Sequence, residues 1–273
     1  MSKLQGVLRA LLLTAVLFAL APLAFAVDGT VLINQATSVN GLPGCPHQGF
    51  PIVICQSGSY RLSGNLSVSD PALNGISIAS ENVTLDLNGF SIVGPVVCTG
   101  VPVSSCTSSS SIGITAGSYF TVANGTVRGF QEGVLTGNYS HVDKVNALNN
   151  SFTGIEVGAD CSVTNSLASS NGYSGIIADS QSNVVTGNVA VNNHTFGIVG
   201  SSSTLIGNIA NGNGGNGFVS TNATLSGNTA NNNGEYGMSV VCPSSVVGNT
   251  LVGNGLGPLS TTSPGCVDSN NAH

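Results

Sequence analysis

"TGNVAVNNHTFGIVG", residues 186–200, sets Asn188, Asn192 and Asn193 among glycines and small aliphatic residues. Asn competes with a helix for local hydrogen bonds and Gly gives up backbone entropy in one, so the stretch is poor helix material. It is also too rich in amides for an ordinary strand. With Asn193 as a ruler, the same order returns along the chain. Equivalent asparagines stand at Asn150, Asn171, Asn213, Asn233 and Asn254, a period of about 21 residues. Glycine follows four positions later at Gly154, Gly175, Gly197, Gly217 and Gly237, and a second asparagine precedes by five at Asn188, Asn208, Asn228 and Asn249. Alanine stands three before the ruler from Ala147 to Ala230, and an aliphatic residue eight before it from Val142 to Val246.

Columns kept in one register over six units predict a solenoid. Leucine-rich repeats have a similar period but need several leucines per unit, and these units have one or none. Calcium-binding nonapeptide repeats put Asp in their glycine-rich loops, where "NGNGGNG" (211–217) carries amides. A unit of about 21 residues with short alternating stretches fits three short strands separated by turns, stacked into parallel sheets along one axis. Uncharged Asn suits such a stack, since identical side chains in successive coils carry no mutual repulsion.

The repeated GN…NN…GI pattern resembles the right-handed parallel β-helix proteins of the pectate-lyase-like superfamily. It is most similar to the bacterial NosD-like and carbohydrate-binding and sugar-hydrolase types. "GSYRLSGNLSV" (58–68) and "NVTLDLNGFSIVG" (82–94) read like the first coils of such proteins. The resemblance implies an all-β, right-handed parallel β-helix over 58–257, with about eight or nine coils and a length of roughly 40 Å at ~4.8 Å per coil. An N-terminal cap at 27–57 and a C-terminal cap or tail at 258–273 are expected to close its ends. A disulfide-bearing insertion is expected at 95–111. The fold does not imply an activity, because many chemistries share this scaffold.

Composition narrows the classes. Residues 1–26 combine Lys3 and Arg9, an apolar run and Ala24-Phe25-Ala26, the pattern of a cleavable signal peptide rather than a retained anchor. Cleavage after Ala26 leaves three strong bases against eleven acids, a net charge of −8. That balance excludes nucleic acid as a partner, and no later stretch is apolar enough for membrane insertion. The mature protein is expected to be secreted or periplasmic. Seven cysteines in an exported chain predict disulfides, with the short-range pairs Cys45–Cys55, Cys98–Cys106 and Cys242–Cys266 preferred. Cys161 is left over and reads as a small buried thiol.

Functional residues should sit where the outward side chains break the pattern. Alternation after each repeat glycine predicts an outward column of Ser77, Thr115, Leu135, Glu156, Ile177, Val199, Val219 and Ser239. Its middle is an apolar stripe carrying one carboxylate, a surface for a partner or a second subunit, or else one covered by a loop. Glu156 and Asp179 fall on adjacent coils and are the candidate catalytic pair on spacing alone. Arg128 and Glu132 flank Gly129-Phe130 and read as a turn ion pair or a sugar contact, the structural pair being favoured because no further base lies near. His194 reads as a passenger in its turn. The histidines are dispersed, so no metal and no cofactor is expected. The favoured reading is a non-catalytic exported β-helix that binds a polysaccharide or a cell-surface protein. The alternatives are a polysaccharide lyase, C5-epimerase or glycoside hydrolase, and a structural or adhesive shaft that forms homo-oligomers through the apolar stripe. Scarcity of bases, acids and aromatics counts against the enzyme.

Overall fold

Each regular coil turns three corners. At each corner one residue takes a left-handed backbone and the next sends its side chain inward. In the opening stretch Gly187 (φ 67°) and Asn192 (φ 58°) are left-handed, while Asn188 and Asn193 are 0% exposed. The Gly-Asn and Asn-Asn doublets therefore divide the work: the first residue supplies a conformation that only Gly and Asn adopt readily, the second a buried amide. Asn193 Oδ1 accepts from the backbone N–H and from Nδ2 of Asn171, each at 3.0 Å. Its own Nδ2 donates to Asn213 Oδ1 at 3.0 Å and to the Ala168 carbonyl at 3.1 Å. This ladder runs unbroken from Asn150 to Asn254. A second ladder occupies another corner from Asn188 to Asn271.

The corners separate the coil into three faces of short parallel strands. The computed structural model describes residues 29–45, 47–262 and 264–273, and residues 31–273 form one compact unit. The expected signal peptide lies outside the described residues. Face one is a ten-stranded parallel sheet. Its rungs, one to ten, are Ile52–Ile54, Ile76–Ile78, Ile112–Ala116, Glu132–Thr136, Ile155–Val157, Ser174–Ile177, Phe196–Val199, Phe218–Thr221, Tyr236–Val241 and Gly257–Thr261. Faces two and three join into one sixteen-stranded sheet, because the strands Phe120–Arg128 and His141–Leu148 run through the corner between them. Ten rungs exceed the expected eight or nine coils. The extra ones come from both termini, where Ile52–Ile54 and Gly257–Thr261 pair onto their neighbours.

Alternation fills the interior as the sequence requires. Ile76, Ile114, Val134, Ile155, Ile176, Ile198, Phe218 and Met238 line face one at 0% exposure. Face two contributes Val142, Val163, Val185, Leu205, Leu225 and Val246, and face three the alanines from Ala147 to Ala230. Small side chains on face three let the two sheets close, and the repeat glycine answers them. A Cβ on Gly197 would lie 2.5 Å from the Gly217 carbonyl, 2.7 Å from Ala210 Cβ and 2.9 Å from Asn213 Nδ2. The alanine, ladder and glycine columns are thus one steric arrangement. At the N-terminal end Leu42 and Cys45 join the core, so that Ile52 and Ile54 in rung one stay at most 2% exposed.

The disulfides are Cys45–Cys55, Cys98–Cys106 and Cys242–Cys266, and Cys161 is free and buried. No helix among the described residues is long and apolar enough to cross a membrane.

Asn193→Ala leaves the Asn171 backbone N–H buried without a partner, takes one of the two acceptors of Asn171 Nδ2, and removes a donor from the Asn213 and Ala168 oxygens. It is expected to lower stability by about 3–5 kcal/mol. Asn192→Gly, one position away at the left-handed site, should change it by less than about 1 kcal/mol. Urea unfolding of the two variants checks the contrast, and equal losses would contradict the division of labour.

Candidate functional site

The outward column of face one has the register that alternation predicts. Ser77, Thr115, Leu135, Glu156, Ile177, Val199, Val219 and Ser239 are aligned partners from rung two to rung nine. Leu135, Ile177, Val199 and Val219 are only partly exposed.

Glu156 in rung five meets a different carboxylate from the one that spacing proposed. Asp179 lies two positions beyond Ile177, the register partner of Glu156, and is exposed after the strand ends. The carboxylate that feels Glu156 is Glu132, at the start of rung four. Burial, and after it the charge of Glu156, raise the Glu132 pKa above the usual carboxylate range. Burial alone raises that of Glu156. Glu132 Oε2 is buried and has no hydrogen-bond partner. The expected Arg128–Glu132 ion pair does not form; among the described residues the ion pairs are Arg61–Asp86 at 3.1 Å and Lys144–Asp143 at 3.2 Å. Glu132 also heads a polar column. Thr153 and Ser174 hold its position in rungs five and six, are 0% exposed, and have hydroxyls without a protein partner. Three oxygens in successive coils therefore keep bonding capacity that the fold does not use.

An aromatic wall stands beside this column. Phe152 and Tyr173, one position before Thr153 and Ser174, stack at 4.7 Å with planes 4° apart, and the edge of Phe196 closes on Tyr173 at 5.7 Å. Outside the wall lies the insertion at 95–111. Its strands Cys98–Thr99 and Ser105–Cys106 form a disulfide-closed antiparallel hairpin. The chain leaves the stack ahead of rung three and runs along the corner to the coil of rung seven, about 19 Å at ~4.8 Å per coil. Val103, 3% exposed, anchors its tip: its N–H donates to the Asn192 carbonyl at 3.1 Å, and its carbonyl lies 2.6 Å from His194 Nδ1. A carbonyl only accepts, so His194 carries its proton on Nδ1. His194 is thus the latch of the hairpin and not a passenger. Gly172 lets its coil close on the one before, since a Cβ there would run into the Ser151 carbonyl oxygen, and it leaves room for the hairpin, with Cys106 Sγ 3.0 Å from the same position.

The face is electrostatically one-sided. None of its ten strands contains Lys, Arg or His. Among the described residues no three metal-ligating side chains gather. Cys161 is no nucleophile: burial pushes its thiol pKa up, and its Sγ lies 3.3 Å from the Ser140 amide, inside a corner.

The model of the "Right handed beta helix region" family matches residues 110–256, more than half of the chain. The chain belongs to the right-handed β-helix family. Among curated protein sequences none matches it. Solved structures similar to this β-helix include a double mutant of the periplasmic alginate epimerase AlgG, with TM-score 0.54, 19% identity, and coverage of 81% of this chain and 70% of that one. The enzymatically active domain of bacteriophage CBA120 tailspike protein 2 gives 0.61 and 16%, covering 80% of this chain and 41% of its own. The A-module of the Azotobacter vinelandii mannuronan C-5 epimerase AlgE4 gives 0.54 and 14%, covering 88% and 89%. At these identities the likeness is one of fold.

The raised carboxylates fix the sign of a pH effect. A carboxyl group whose pKa is raised on folding stabilises the fold while protonated, below its unfolded pKa, and that contribution is lost as pH climbs through the folded value. Glu132→Gln is therefore expected to melt higher than the parent at about pH 7.5 and equally at about pH 4. Thermal scans at both pH values test it, and a lower melting point at pH 7.5 would refute the burial of an unsatisfied carboxylate.

Proposed function

We propose that this β-helix is an exported protein that binds an uncharged polysaccharide along face one. The ligand lies over Leu135, Glu156 and Ile177, with the aromatic wall and the disulfide hairpin on one flank. The observation that supports this reading is the Glu132–Glu156 pair. Two half-buried carboxylates on a face without a base suit a ligand that brings hydroxyl groups and no charge. A uronate polymer would bring further negative charge to a face whose ten strands hold no Lys, Arg or His, which favours an uncharged ligand over the anionic polymers named for the alginate and mannuronan epimerase neighbours. Those neighbours keep glycans the first ligand class to test. Three disulfides suit an oxidising compartment, outside the cell or in the periplasm. In this reading the apolar stripe is the floor of the groove and not a subunit contact.

Glycoside hydrolysis is the second reading, and it rests on the same pair. A carboxyl group with a raised pKa can hold the proton that a leaving sugar oxygen needs, while its neighbour works ionised. Glu132, whose pKa is raised by burial and also by the charge of Glu156, takes the acid role.

Calorimetric titration of the mature protein with cellohexaose, xylohexaose, mannohexaose and maltohexaose separates these readings, with tetragalacturonate as the anionic control. Binding of a neutral hexaose without release of reducing ends supports the first. Release abolished by Glu132→Gln establishes the second. Binding of tetragalacturonate alone contradicts both.

A further inference from the structure

The corner after face one carries a feature that neither the core nor the carboxylate pair explains. Its left-handed position holds Asn82, Tyr119, Tyr139, Asp160, Ser182, Ser202 and Asn222 in successive coils. Tyr119 has φ 59° and Tyr139 φ 56°, a backbone that large side chains avoid and that Asn82 and Asn222 adopt more readily in the same corner. Each tyrosine is nevertheless 47% exposed, so neither ring fills the core. The two rings stack on one another, centroids 4.9 Å apart and planes 13° apart. Strained backbone that displays an aromatic surface, where a polar residue would serve the turn better, points to a use for that surface.

The ladder is two rings long. On the far side of Tyr119 stands Asn82, and on the far side of Tyr139 stands Asp160; both are too short to continue a stack of rings. The wall across the face differs, because the edge of Phe196 stops its stack. The open face of Tyr139 thus looks along the axis onto the coil of Asp160. That coil is the one whose face-one strand, Ile155–Val157, carries Glu156. The ring spacing set by one coil also matches the separation at which a flat apolar group stacks on an aromatic face. Glu81 and Asp160 lie in this corner and no Lys or Arg does, so an anionic ligand is disfavoured.

We propose that Tyr119 and Tyr139 form a stacking subsite for one pyranose ring of an uncharged glycan. The sugar lies on Tyr139 as the third rung of the ladder, and the Asp160 carboxylate accepts its hydroxyl groups. The subsite rests on the glycan reading of face one and deepens it: it places the end of the ligand across the face from the hairpin, next to Glu156. Tyr119 supports Tyr139 and does not itself touch the sugar.

The test uses Tyr139→Asn, Tyr119→Asn and Asp160→Asn in the mature protein, titrated with the same four neutral hexaoses. Asn already occupies this corner at Asn82 and Asn222, so the tyrosine variants are expected to fold and to melt about 1–3 °C higher. Tyr139→Asn should weaken binding roughly tenfold and Tyr119→Asn roughly threefold, the size of one lost aromatic contact. Asp160→Asn should weaken it less than Tyr139→Asn. Undiminished binding by Tyr139→Asn would overturn the subsite and leave the groove standing. A lower melting point for Tyr139→Asn would make the ring a structural part and overturn it as well. A parent protein that binds no neutral hexaose removes both the groove and the subsite.

Discussion

The buried amide-to-amide hydrogen bond is the constraint on which the rest of this molecule hangs. A carboxamide carries acceptor and donor in one plane, so a single asparagine takes hydrogen bonds from the coil before it and gives one to the coil after it. Asn171, Asn193 and Asn213 do this at a common 3.0 Å. The same side chain also ties off corner backbone, as Asn193 Oδ1 does for the Asn171 N–H, which would otherwise be buried unpaired. Slipping a coil by one position would break every such bond and turn the aliphatic columns outward. A chain with only 6% charged residues can therefore hold one register without ion pairs.

The ladders do not extend evenly, and the unevenness organises the surface. From rung seven onward both corners carry Asn. Upstream, Phe130 and Val145 stand in ladder positions, and the corners hold Tyr119 and Tyr139. The coils of rungs three to six are also those with Glu132, Glu156, Phe152 and Tyr173, and those along which the hairpin lies. A regular C-terminal half acts as a rigid post for an irregular half that displays chemistry. The latch between His194 and Val103 joins them, because it pins the hairpin tip to the first fully regular coil.

Much of the fold was legible because each structural demand recurs once per coil, and a demand met six times in register leaves a pattern. The outward column of face one, Ser77 to Ser239, follows from alternation alone. The aromatic pairs obey the same period: Tyr139 follows Tyr119 by one coil, and Tyr173 follows Phe152 by one coil. A residue type repeated at the coil period stacks on itself, and that signal would have found both pairs. The first and last rungs escaped because Ile52–Ile54 precedes the first coil expected at residue 58, and Gly257–Thr261 begins where Pro258 stands in place of the repeat glycine.

By itself the sequence determined the coil, its register and its interior, consequences of local backbone preference repeated at a fixed period, and the short-range spacing of its cysteines pointed to the disulfides. Only the tertiary structure brought the candidate site together. The register partner of Glu156 in rung four is Leu135, not Glu132, so the two carboxylates occupy different columns and no periodic rule pairs them. Their coupling runs through space between the first residue of rung four and the middle residue of rung five, out of register with the repeat. The hairpin likewise obeys no period: where a loop outside the stack lies down is set by the contacts it finds, here Val103 on Asn192 and His194 four coils away.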